Sequence, residues 1–155
     1  MSAQFLQPDM ASQFYSAIAS DSKIKDMSVR VDLVLDRKVI GTTKAGGIGN
    51  RYVAVTKSRS GPFQWNCGGI AGQGRDYIKI DIIARAVEGN ENCRELCQQI
   101  KGRIKTLLFD AEFLGTGWLF HKIVQDGFPS APLRQMAYCF LVYEVMVSEG
   151  HTKIV

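Results

Sequence analysis

Apolar and polar residues alternate most regularly between Arg75 and Val87. Ile78, Ile80, Ile82, Ala84 and Ala86 fall on one side and Tyr77, Lys79, Asp81 and Arg85 on the other, with Ile83 the single exception. Successive side chains of a strand point to opposite faces, so the pattern predicts a strand with one buried face. Glu88-Gly89-Asn90 breaks it. Asn90 is the expected N-cap of a helix with Glu91 in its first turn, where the helix dipole favours an acid. Cys93, Leu96, Cys97, Ile100, Ile104, Leu107 and Leu108 then recur at helical spacing. At about 100° per residue they span roughly 120°, a stripe wide enough to cover a sheet face.

Upstream, Pro8 suits the first position of a helix, and Met10, Phe14, Ala17 and Ile18 share one face. They predict a short helix ending near Asp21-Ser22. Val29, Val31, Leu33 and Leu35 alternate with Arg30, Asp32 and Asp36 as a strand. Gly41–Asn50 reads as a long loop, Arg51–Ser58 as a β-branched strand, and Ser60–Gly74 as a second glycine-rich loop with an extended piece at Phe63–Trp65. After the central helix, Phe109–Gly117 turns back, Gly117–Val124 is a strand and Gln125–Leu133 a loop, from its Gly, Asp and two Pro. Arg134–Val147 is too apolar to alternate cleanly. Such a run predicts a central strand, or one whose outer face meets another subunit. Ser148–Val155 is expected as a peripheral tail. The order α–β–β–β–α–β–β over residues 1–155 predicts one two-layer α+β domain, a mixed or antiparallel β-sheet with two helices on one face and long glycine-rich loops at 41–50 and 60–74.

A chain of 155 residues is long enough for one domain with a real core. No apolar run reaches membrane-spanning length, and the opening residues lack the basic-then-apolar order of a signal peptide. With four cysteines spread among core elements, a soluble protein with reduced thiols, made in a reducing cytoplasm, is expected. The net charge of +4 is mild but uneven. Arg37, Lys38, Lys44, Arg51, Lys57, Arg59 and Arg75 occupy a span without a single acid, which also holds most of the glycines.

Several chemistries fail on spacing. Gly41-Thr42-Thr43-Lys44 is not a P-loop, and Gly47-Ile48-Gly49 leads into a strand where a dinucleotide site needs a helix. Cys93 and Cys97 lie one helical turn apart, but Cys67, Cys139, His121 and His151 supply no second ligand pair, so both thiols read as small core hydrophobes. His121 lies in a strand beside Phe120, away from any nucleophile motif, and reads as structural. Glu144, in an apolar strand, calls for a cation: Lys122 or Lys79 of a neighbouring strand, or one from another subunit. No catalytic, cofactor or metal site is expected. The basic span, with Tyr52, Phe63 and Trp65 among its cations, has the mixture that phosphate and stacking contacts use, and a nucleic-acid-binding module is the alternative function it suggests. Gly102, opposite the apolar stripe in mid-helix, costs about 1 kcal/mol against Ala. Packing on the domain's own sheet does not explain it: it is either a tolerated defect or a point where another chain approaches the helix backbone.

The element order resembles the bacteriophage tail-terminator family (tail-completion, minor tail or head–tail joining proteins). The resemblance rests on a short first helix and on Arg51-Tyr52-Val53-Ala54-Val55 leading to Ser58-Arg59-Ser60-Gly61. It continues through Arg75-Asp76-Tyr77-Ile78-Lys79-Ile80-Asp81-Ile82 running into a helix, and ends on the aromatic strand Tyr138–Val145. It covers most of Pro8–Val147. What it implies is a non-enzymatic virion protein, made in the host cytoplasm, that forms a closed ring, commonly a hexamer. The ring caps the tail tube, stops its polymerisation and joins the neck or head-completion protein, with genomic DNA passing through at most non-specifically and no membrane involved. The glycine-rich insertions leave open the terminator itself or a sister head–tail joining protein. Arg37, Lys38, Lys44, Arg51, Lys57, Arg59, Trp65 and Gly102 are the candidate assembly contacts.

Overall fold

The computed structural model describes residues 3–6, 10–34, 51–60, 64–65, 71–85, 92–109, 118–128 and 136–153. In chain order they form β1 (Ala3–Leu6), α1 (Met10–Ser20), α2 (Ser22–Asp26), β2 (Arg30–Leu33), β3 (Arg51–Ser60), β4 (Gln64–Trp65), β5 (Ala71–Arg85), α3 (Cys93–Phe109), β6 (Trp118–Gly127) and β7 (Met136–Lys153). The molecule is an α+β domain built on an open mixed sheet.

Across the sheet the order is β1-β7-β5-β3-β2, with β6 also on β7 and β4 also on β5. Gly150 pairs with Ala71 of β5 and with Leu6 of β1, so β1 lies on the edge of β7 away from β5, in line with β6. Likewise β4, opposite Gln73 and Gly72, prolongs the edge that β3 occupies down to Ser60 opposite Asp76. β2 runs parallel to β3 and every other pair is antiparallel.

One face of this sheet carries the core. Ile78, Ile80, Ile82 and Ala84 of β5 align with Val53 and Val55 of β3 and with Ala137, Cys139, Leu141, Tyr143 and Val145 of β7. Onto it pack Met10, Phe14 and Ile18 of α1, Ile24 of α2, and Cys97, Ile100, Ile104 and Leu108 of α3, all of them buried. Cys93, Leu96 and Leu107 flank the stripe as half-buried residues. Ile83, the break in the alternation, faces the other way into a small second cluster with Val34, Tyr52 and Ala54.

The structure departs from the expected elements at local signals. The helix cap is Asn92: its side-chain oxygen accepts from the Glu95 backbone N–H at 3.2 Å, and Glu95 occupies the first turn. Asn-x-x-Glu is the spacing of a capping box, and it places the cap two residues later than Asn90. A separate helix, α2, follows α1. Asp21 ends one and caps the other, its carboxylate accepting from the Ile24 N–H at 3.2 Å. Helices α1, α2 and α3 therefore replace the two expected. β5 begins at Ala71, so residues 71–74 are strand where a loop was expected, paired with β7 across Gly72–Glu149 and Gln73–Ser148. β6 runs on to Gly127, and β7 continues to Lys153 through the expected tail. Backbone pairing supplies the reason: β7 has partners along both edges, and a paired strand tolerates the polar and glycine residues that end an isolated one.

Candidate assembly surface

The candidate contacts do not gather into one site. Arg37, Lys38 and Lys44 lie outside the described residues. Arg51 opens β3 and its guanidinium donates to the Met27 carbonyl at 2.5 Å, which caps the C-terminus of α2. Lys57 lies 3.4 Å from the buried carboxylate of Asp76 at the end of the core face. Arg59 takes its place in β3 beyond a register shift, opposite Tyr77, and Trp65 stands in β4 opposite Gly72. Two of the cations read from sequence as partner contacts thus have partners within their own domain.

The second sheet face is chemically richer. No described helix covers it. On β5 and β7 it presents Arg75, Tyr77, Lys79, Asp81, Tyr138, Phe140, Val142 and Glu144, brought side by side by their register. Glu144, buried, pairs with Arg75 at 3.4 Å (Nε–Oε1), so its cation comes from β5 and is neither Lys122 nor Lys79. Lys122 stands opposite it on β6. Asp81, also buried, accepts from the Tyr138 hydroxyl and lies 3.4 Å from Lys79. Burial and that bond together push the Tyr138 phenol well above its usual pKa. The Lys79 ammonium sits 5.3 Å from the centre of the Phe140 ring, and the ring lies against the backbone of Gly127. Tyr77, Lys79, Val124, Gln125, Phe140, Val142 and Glu144 line an open groove of about 560 Å³. Aromatic and charged groups in alternation, with buried carboxylates paired to exposed cations, make a surface suited to contacts with protein.

On the helical layer, Gly102 faces outward: a Cβ built there meets nothing within 4 Å. Phe109, the last residue of α3, is 89% exposed. Lys101 and Lys105 both reach Asp126 of β6, the first at 2.7 Å. Burial pushes the Asp126 carboxyl up, and the two ammonium groups outweigh it, so its pKa falls below the usual value. His121 Nε2 donates to the Leu108 carbonyl at 2.5 Å, and its ring meets those of Phe14 and Tyr143. This is a structural histidine tying β6 to the end of α3. Among the described residues no group of three or more His, Cys, Asp or Glu is placed to hold a metal ion, and no helix is long and apolar enough to cross a membrane.

An open mixed sheet with helices on one face and an aromatic, ion-paired second face defines the class of fold. No family profile and no curated protein sequence matches the chain. Among solved structures, a chain in the virion of a native gene transfer agent particle matches it with a TM-score of 0.66 at 12% identity, over 90% of this chain and 94% of that one. The two share a fold over that length.

Proposed function

We propose that this protein is a structural subunit of a phage-like virion and acts as a tail terminator or a sister head–tail joining protein. Subunits close into a ring, most simply a hexamer, that caps the tail tube, ends its polymerisation and meets the neck or head-completion protein. The observation that carries this reading is the match, over 90% and 94% of the two chains, to a component of a gene transfer agent virion. The element order resembling tail terminators adds to it independently. A head-to-tail contact that closes into a ring uses two different patches of each subunit. The aromatic sheet face and the outward face of α3 around Gly102 are two such patches. The competing nucleic-acid reading loses ground because Arg51 and Lys57 are engaged within the domain.

Size and imaging test the proposal. The purified protein should sediment as a nuclease-insensitive particle several times the 17.2 kDa chain mass, seen as rings in electron micrographs. Deleting Thr42–Gly49 should leave the domain folded and produce tails of uncontrolled length. A monomer that shifts nucleic acid in a salt-dependent way would overturn the reading in favour of the binding module.

A further inference from the structure

Two buried thiols lie closer together than packing requires. Cys97, on the sheet-facing side of α3, and Cys139, on β7, hold their Sγ atoms 3.2 Å apart, and neither has any solvent exposure. The Cys139 thiol donates to Cys97 Sγ, and the Cys97 thiol points at the carbonyls of Ile82 (3.4 Å) and Ala137 (3.6 Å). Small residues make this approach possible. Ala84 and Ala137 line the sheet here, and Cys139 Sγ also comes within 3.7 Å of the Cys97 carbonyl oxygen. None of the three described cysteines, Cys93 included, is in a disulfide.

We propose that Cys97 and Cys139 are an oxidative cross-linking site, a dithiol that closes to an intramolecular disulfide and fastens α3 to β7. The oxidant is a peroxide, small and neutral enough to enter through a local opening of the helix. The Cys97 thiolate attacks one peroxide oxygen. The O–O bond breaks, the departing hydroxide takes the thiol proton as water, and Cys97 becomes a sulfenic acid. Cys139 Sγ then attacks Cys97 Sγ, the S–O bond breaks, and the hydroxide leaves with the Cys139 proton as a second water. Two thiols and one hydrogen peroxide give one disulfide and two waters, and the sulfur pair loses the two electrons that the peroxide gains. The sulfurs need to close from 3.2 Å to about 2.05 Å. The order of attack follows the electrostatics. The bond from Cys139 lowers the Cys97 pKa against the opposing effect of burial, whereas that bond and burial both raise Cys139. If the protein is a virion subunit, a timing follows that rests on that reading: the pair stays reduced during assembly in the cytoplasm and closes after release into an oxidising medium. The chemistry itself does not depend on it.

The test uses the full-length protein, reduced and then treated with stoichiometric hydrogen peroxide. Thiol titration in denaturant should fall from the four cysteines of the chain to two, and the intact mass should drop by about 2 Da. Peptide mapping should join Cys97 to Cys139. A cross-link spanning 42 residues should raise the melting midpoint by about 10 °C, reversibly with a dithiol reductant. Cys93→Ser should behave as wild type, and Cys139→Val should keep its midpoint unchanged by peroxide. Linkage of Cys97 to Cys93 or Cys67, oxidation of either sulfur to sulfinic acid without a link, or a midpoint that does not rise would overturn the proposal. A monomeric protein that still closes the bond would sink the ring and leave the cross-link standing.

Discussion

Ser28 holds a left-handed backbone conformation (φ 56°), and the turn around it explains why. Its N–H bonds the Lys25 carbonyl at 2.9 Å, and the Val29 N–H reaches back to Ile24 at 3.4 Å. This is a Schellman ending, with Val29 and Ile24 both packed on the core as its apolar contact. Glycine is the residue this position favours, because a Cβ is strained there. Ser28→Gly should therefore stabilise the protein by about 0.5–1 kcal/mol in denaturant titration, the reverse of the usual effect of a glycine. At the other end of α2, Asp21 is clamped by Arg103 through two bonds of 2.6 and 2.9 Å. The guanidinium holds the Asp21 carboxyl below its ordinary 3.8, against the opposing pull of burial. The folded state thus takes up this proton less readily than the unfolded one. Its stabilisation is complete above about pH 3.8 and is lost as pH falls through the lower folded value. Asp21→Asn keeps a capping side chain and loses the charge, so it should be less stable than wild type at neutral pH and converge with it in acid. Asp21→Ala should lose about 1 kcal/mol more, from the cap.

At the scale of elements, α3 is the piece that joins both layers. Ile100→Ala or Ile104→Ala should destabilise the domain by about 2–5 kcal/mol, since each is fully buried on the sheet. The exposed Gln98 is the neutral control, because Arg94 stacks 4.7 Å from the Phe128 ring and Lys105 shares Asp126. Gly102→Ala separates the two readings of that glycine. With open space around its Cβ, the substitution should stabilise the isolated subunit by up to about 1 kcal/mol. If a neighbouring subunit approaches the helix there, the same variant should form rings poorly, as sedimentation would show. A variant that is more stable and assembles normally would remove Gly102 from the interface.

For the whole molecule, the two sheet faces respond together to alkali. Burial pushes Tyr52 up to about 12, helped by Asp32, and burial followed by Asp126 raises Tyr143 on the core face. Tyr138, on the second face, moves the same way. A phenol raised on folding contributes stability that is fully present below the ordinary value of 10.0 and is lost as pH rises through the folded value. The protein should therefore unfold cooperatively above about pH 10, with these tyrosines ionising on unfolding, as an ultraviolet titration followed alongside circular dichroism would show. Tyrosines that ionise near 10 with the fold intact would contradict the packing of both faces.

The alternation through Arg75–Arg85 and the stripe from Cys93 to Leu108 were legible in the sequence because each element buries one continuous face, and burial imposes its period on the residues themselves. From them followed the α+β class and the helix-on-sheet layering. What the sequence left undecided depended on partners distant along the chain. Residues 71–73 and 148–150 carry glycine and polar groups that read as loop or tail, and became strand only because each lies in the other's register, while 151–153 are held by β1. The cation beside Glu144 was chosen by the diagonal that places Arg75 across from it. Arg51 and Lys57, the same on paper as any exposed cation, were drawn to a helix end and a buried carboxylate. Cys97 and Cys139, 42 residues apart, met only when α3 settled on β7. Periodicity is local and is written residue by residue, whereas pairing, charge partners and thiol contacts are properties of register, and register is fixed only when the sheet closes.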